Sequence, residues 1–167
     1  MDGIPTFRDS EIVALWDRME KENTIKDVFM DGSILSGKQF LKAMKSDLNF
    51  LIVVYWKEEV SAILWVNRFQ GNFAQAHFCC FSNVWGKQKI ICKLGKAGSL
   101  YILNNLKLDM LLGIIPENNK PAFVAATGAG WKPVGTLPYG SYNYKTKESE
   151  SAVILSFIKE EKKDENL

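Results

Sequence analysis

Apolar residues recur at helical spacing near the start of the chain. Ile12, Leu15, Trp16 and Met19 share one face, and Glu11, Asp17, Arg18 and Glu20 fall on the other. This pattern predicts a helix opening near Asp9 or Ser10. A second helix is predicted from Ser36, where Ser36-Gly37-Lys38-Gln39 has the form of a capping box and Phe40, Leu41 and Met44 supply the apolar stripe. Between the two, Asp31-Gly32 marks a turn.

From Phe50 the period changes. Phe50 to Trp56 is rich in β-branched and aromatic residues, Lys57-Glu58-Glu59 turns the chain, and Val60 to Phe69 reads as a second strand. Gln70-Gly71-Asn72 leads into a third, Phe73 to Phe81. Alternation there places Phe73, Gln75, His77, Cys79 and Phe81 on one face, and Ala74, Ala76, Phe78 and Cys80 on the other. Short turns between the three strands predict an antiparallel meander.

A helix follows, from about Gly86 to Leu103, with Ile90, Ile91, Leu94, Ala97 and Tyr101 on one side. Gly95 and Gly98 each cost it about 1 kcal/mol relative to alanine, so they mark either a close approach to the sheet or a break. Asp109 to Ile115 is almost wholly apolar, as a strand covered on both faces would be. Strand, helix, strand in that order predicts a parallel crossover. Asn119 then caps a short helix with Pro121 in its first turn, and Gly128 and Gly130 stop it. Trp131 to Leu137 is a strand that Pro133 confines to an edge. A polar stretch from Ser141 to Ser151 separates it from a last strand, Ala152 to Ile158, and Lys159 to Leu167 reads as a frayed charged tail. The expected architecture is one α/β (α+β) domain over 1–167. It has a mixed, mostly antiparallel sheet of about six to seven strands, flanked by about four helices.

Composition leaves that picture standing and narrows the partners. The 167 residues are 47% hydrophobic and 24% charged, ordinary for a globular chain. Lys and Arg number 21 against 19 Asp and Glu, so no dense basic face points to nucleic acid or an anionic membrane. The longest apolar run, Phe50 to Trp56, falls far short of the roughly 20 residues that span a bilayer. Cys79, Cys80 and Cys92 sit in apolar stretches and two are adjacent, which fits reduced thiols and a cytoplasmic location. One histidine with scattered cysteines makes no zinc site, and neither Gly37-Lys38 nor Gly86-Lys87 completes a phosphate-binding P-loop.

The element order, together with Gly113-Ile114-Ile115-Pro116-Glu117-Asn118-Asn119 running through Ala122 to Gly130-Trp131 and Val134-Gly135, resembles the GNAT superfamily of N-acetyltransferases. The overall look is similar to divergent members found in phage genomes. The resemblance implies acetyl-CoA as cofactor and an amine, on a small molecule or a protein partner, as acceptor. It implies that the third meander strand and Asp109–Ile115 splay apart around the pantetheine arm, with backbone groups near Cys80 and Phe81 pairing with it. The pyrophosphate would then sit on Ser82-Asn83-Val84-Trp85-Gly86-Lys87-Gln88, where a helix start favours anions and Lys87 adds a charge-assisted contact. Asn83, Trp85, Gly86, Lys87, Gln88 and Asn119 complete that candidate set.

Two positions depart from the family pattern. Aligning Gly86 with the first glycine of the family's loop puts Asn83 where Arg or Gln is usual and Gln88 where a small residue is usual. Counting back from Trp131, the usual tyrosine general acid is Ala126. Tyr139, Tyr142 and Tyr144 are the phenols that could substitute. For a general base, which must strip a proton from the attacking ammonium, His77 and Glu117 are the candidates. The alternative function is a GNAT-shaped binding or assembly module that has lost catalysis.

Overall fold

The computed structural model describes residues 7–159, so the charged tail expected from Lys159 onward lies, but for its first residue, outside the described residues. Helix α1 (Asp9–Lys21) opens where the Glu11 carboxylate accepts the Arg8 amide at 2.7 Å. Its apolar face, Ile12, Leu15, Trp16 and Met19, is buried. Helix α3 (Gly37–Met44) is capped by Ser36, whose hydroxyl accepts the Gln39 amide at 3.3 Å. The return arm of the expected box lands one residue earlier, on the Leu35 amide. Between them lies a one-turn helix, α2 (Ile25–Val28), which the sequence pattern did not predict. Four residues are too few to show a helical period.

The meander is formed by β1 (Phe50–Trp56), β2 (Glu59–Gln70) and β3 (Phe73–Cys80). A 3₁₀ turn at Ser82–Val84 leads to α4 (Gln88–Leu106), β4 (Met110–Pro116), α5 (Lys120–Gly128), and a long hairpin, β5 (Lys132–Asn143) and β6 (Glu148–Ile158). The strand order is β1-β2-β3-β4-β6-β5, with β3 and β4 the parallel pair around the α4 crossover. Two expectations need adjustment. The helix begins and ends later than Gly86–Leu103, and much of the polar Ser141–Ser151 stretch is strand. No residue of β5 is buried and β6 buries none before Ala152, so the far end of the hairpin carries polar residues and loses the apolar alternation by which strands are recognised. Pro133 does lie on an edge strand, as expected.

Both faces of the sheet are covered. Ile63, Trp65, Cys79 and Phe81 join the buried residues of α1 and α3, while Leu64, Val66 and Ala74 pack with Ile102, Leu103, Leu111 and Phe157 beneath α4. Each large side chain buried this way contributes roughly 1.5–3 kcal/mol over its exposed state. Gly98 is where α4 comes nearest the sheet: a Cβ there would stand 2.8 Å from Leu64. The helix runs unbroken through both Gly95 and Gly98, so close approach is the reading that holds.

One junction of the sheet is incomplete. β3 and β4 pair only over Phe73–Gln75 and Met110–Leu112. Beyond that, β3 stays with β2 as far as Cys80 and β4 stays with β6 as far as Pro116, but the two strands part from each other.

Candidate functional site

The parting strands leave a cavity of about 510 Å³ that reaches both faces of the sheet. Thr24 and Asp27 border it on the α2 side, and Ala122, Ala125 and Ala126 of α5 on the other, with Gly95 and Ser99 of α4 nearby. The strand edges along it are polar. The Phe81 amide donates to the Ser61 carbonyl at 2.9 Å, and main-chain groups alternate edge to edge along an antiparallel strand. Cys79 and His77 therefore turn their main-chain groups toward β2, whereas those of Phe78 and Cys80 turn into the slot. Both Phe81 groups are committed elsewhere, its carbonyl accepting from Val84. The slot edge is thus built from Phe78 and Cys80. Phe78 was not among the residues expected from sequence, although strand parity from Phe81 would have found it.

At the mouth stands the start of α4. Ile90 and Ile91 donate to the Lys87 carbonyl, and the amides of Gly86, Gln88 and Lys89 have no protein partner among the described residues. Gly86 has φ +73, and a Cβ there would meet nothing within 4 Å, so the mouth is open at this point. No carboxylate lies on α4, and Lys89 stands in its first turn. The helix dipole and these amides together favour an anion.

The remaining loop residues have structural partners. Asn83 donates to the Ser61 hydroxyl at 2.7 Å and to Glu59 at 3.2 Å, and accepts from Arg18 at 3.1 Å. Lys87 Nζ donates to the Asn83 carbonyl, and Gln88 folds back along its helix onto the Cys92 sulfur. Trp85 is 47% exposed, and its indole N–H donates to the Cys80 carbonyl at 3.1 Å. Glu22 accepts from both the amide and the hydroxyl of Ser82 and from Arg18. Burial works against the Glu22 carboxylate, but the hydrogen bonds from Arg18 and Ser82 outweigh it and hold its pKa below the usual range.

His77 borders the cavity, stacked on Trp65 with ring centroids 4.9 Å apart and planes 8° from parallel. Its Nε2 is 3.1 Å from Asn67 Oδ1. Burial pushes its pKa down to about 4, helped by the Arg68 guanidinium and opposed by Asp31. Cys79 is buried on the same face, and loss of solvent pushes its thiol up to about 12; Cys80, on the other face, is raised by the same cause. Neither thiol is an activated nucleophile. Among the described residues all three cysteines are free, and no group of three or more His, Cys, Asp or Glu is placed to hold a metal ion.

Asn119 borders the cavity, but its carboxamide oxygen accepts the Ala122 amide as the cap of α5. Glu117 is exposed in the turn after β4 and stands outside the cavity lining. The hairpin phenols do as well: Tyr139 is 81% exposed, and Tyr142 and Tyr144 are also exposed. Tyr144 packs instead against Gly32, with its amide bonded to the Met30 carbonyl. Where the family usually carries its tyrosine, Ala126 faces the cavity.

No protein-family model matches the chain, and no curated protein matches it by sequence. Solved structures do match. A Salmonella typhimurium acetyltransferase that modifies the N-terminal serine of ribosomal protein L7/L12 superposes with a TM-score of 0.75 at 12% identity, over 93% of each chain. An acetyltransferase of the GNAT family from Bacillus anthracis gives 0.69 at 10% identity, over 92% of each. The microcin C7 self-immunity acetyltransferase MccE, in complex with acetyl-CoA and AMP, gives 0.68 at 13% identity, covering 90% of this chain and 87% of that one. The chain has the fold of the GNAT acetyltransferases.

Proposed function

We propose that the protein is an acetyl-CoA-dependent N-acetyltransferase acting on an amine by direct transfer. The observation that carries this reading is the parting of β3 from β4 beyond Gln75 and Leu112, with the open α4 N-terminus at its mouth. An acyl-pantetheine arm is amide-rich and extended, so the main-chain edge at Phe78 and Cys80 can pair with it as a neighbouring strand would. The free amides of Gly86, Gln88 and Lys89 suit a pyrophosphate. The lining of alanine, glycine and aliphatic side chains suits the arm's apolar segments. When bound, the cofactor supplies an activated acyl thioester.

The chain's own contribution is positioning and proton handling. On the α2 side of the slot, His77 is the one titratable ring among the described residues that line the cavity, and it is neutral at pH 7. Its Nε2–H is given to Asn67 Oδ1, so the lone pair that can accept an incoming proton is at Nδ1, although a pKa near 4 makes it a weak base. Asp27, exposed at the same rim, favours approach of a cationic amine. Glu117 and the hairpin tyrosines, outside the cavity, receive no role.

A second reading has its own support. Ala126 has no proton to give a departing thiolate, and Gln88 stands where bulk is usually absent. These favour a GNAT-shaped binding module that has lost catalysis. Calorimetric titration with acetyl-CoA tests the slot. Wild-type chain should bind. Gly86→Glu sets a carboxylate against the phosphates; its Cβ meets nothing within 4 Å, and its cost at φ +73 is about 1–2 kcal/mol of backbone strain. It should weaken binding at least tenfold while leaving the folded spectrum unchanged. Equal affinity in the two chains would remove the loop from the site. Binding without thiol release, across a panel of peptide and small-molecule amines, would favour the module.

A further inference from the structure

We infer that Trp85 is a built-in gate on the slot, its indole competing for the strand edge that a ligand would use. The inference rests on the acetyl-CoA reading and concerns how that site is controlled. Cys80 is the last residue of β3, and its carbonyl is the slot-facing acceptor nearest the mouth. That acceptor is engaged by the Trp85 Nε1–H at 3.1 Å.

The indole reaches this point because the turn that carries it is anchored from behind. Ser82 is held by Glu22, and Asn83 by Arg18, Ser61 and Glu59. Trp85 itself is not anchored in this way. The residue is 47% exposed, it borders the cavity, and the bond to the Cys80 carbonyl is the one hydrogen bond its side chain makes among the described residues. Gly86, at φ +73 with open space around it, follows directly. A side chain held by one hydrogen bond between a fixed turn and a glycine can swing without disturbing the fold.

A ligand pairing with the Cys80 carbonyl must first displace the indole, so part of its binding energy is spent breaking that bond. A single neutral hydrogen bond corresponds to roughly a two- to tenfold penalty in affinity.

The test compares wild type with Trp85→Phe, which keeps an aromatic ring and removes the N–H. Acetyl-CoA is titrated by calorimetry and its association followed by stopped flow. The gate predicts binding about two- to tenfold tighter in Trp85→Phe, with faster association. Equal or weaker binding in the variant overturns the gate and leaves the slot standing. No binding by either chain overturns the acetyl-CoA reading, and the gate with it. If Trp85→Phe folds poorly, the wild-type chain still decides. Its Trp85 indole N–H, followed by NMR, should exchange slowly when free and faster with acetyl-CoA bound, and an unchanged rate on saturation counts against the gate.

Discussion

His77 is stacked on Trp65, bonded to Asn67, and titrates near 4 because burial and Arg68 disfavour its charge. The sequence located it on a strand and assigned it base chemistry, and both depend only on residue type and alternation. Its environment was not legible, because Trp65 and Arg68 reach it across a strand pairing that no local pattern encodes. The consequence for stability has a definite sign. The folded pKa lies below the unfolded value of 6.5, so the folded chain resists a proton that the unfolded chain accepts. The contribution is whole above pH 6.5 and is lost as pH falls toward 4, at most about 3 kcal/mol and less for partial exposure. Denaturant unfolding at pH 7, 5.5 and 4.5 should therefore show wild type losing more stability than His77→Gln. Parallel losses would mean the ring is not held neutral by the fold. The same pKa bears on catalysis: a rate limb near neutral pH belongs to the acceptor amine, and it should survive His77→Gln at reduced amplitude.

At the scale of elements, the turn between β3 and α4 shows why the family pattern and the local structure part company. Asn83, placed by alignment where a cofactor contact is usual, ties the turn to α1 and β2. Its partner Ser61 is completely buried. Asn83→Ala removes the donor to that hydroxyl and one acceptor of Arg18, and should cost about 1–3 kcal/mol. Thermal or urea unfolding measures this directly, and a change under about 0.5 kcal/mol would mean water replaces the lost contacts. The helices with long periodic stripes, α1, α3 and α4, were readable from sequence. By contrast α2 was too short, and β5 and β6 ran on into polar residues because little covers them. The missing tyrosine at Ala126 was readable from spacing, whereas the exposed positions of Tyr139, Tyr142 and Tyr144 depend on how the hairpin bends. Its register shifts between Leu137 and Ser141, where Tyr139 takes a positive φ.

For the whole molecule, the slot divides the sheet. β1–β3 with α1–α3 form one side, and β4–β6 with α5 form the other. They are joined by the short β3–β4 ladder, by the bond from the Asp109 amide to the Asn72 carbonyl at its closed end, by the bond from the Tyr144 amide of the hairpin to the Met30 carbonyl, and by α4 lying across the back. A ligand that pairs with β3 and sits on the α4 amides bridges these parts, so binding and global stability are linked. At about 100 times its dissociation constant, acetyl-CoA should add roughly 2.7 kcal/mol. That corresponds to a rise of several degrees in Tm for a domain of this length. Hydrogen exchange gives the same linkage a location. The Phe78 and Cys80 amides face the slot and should exchange faster than those of His77 and Cys79, which turn to β2. Acetyl-CoA should slow the first pair far more than the second. Uniform slowing of all four would indicate a ligand that stabilises the fold from elsewhere, and the edge of β3 would then lose its claim to be the site.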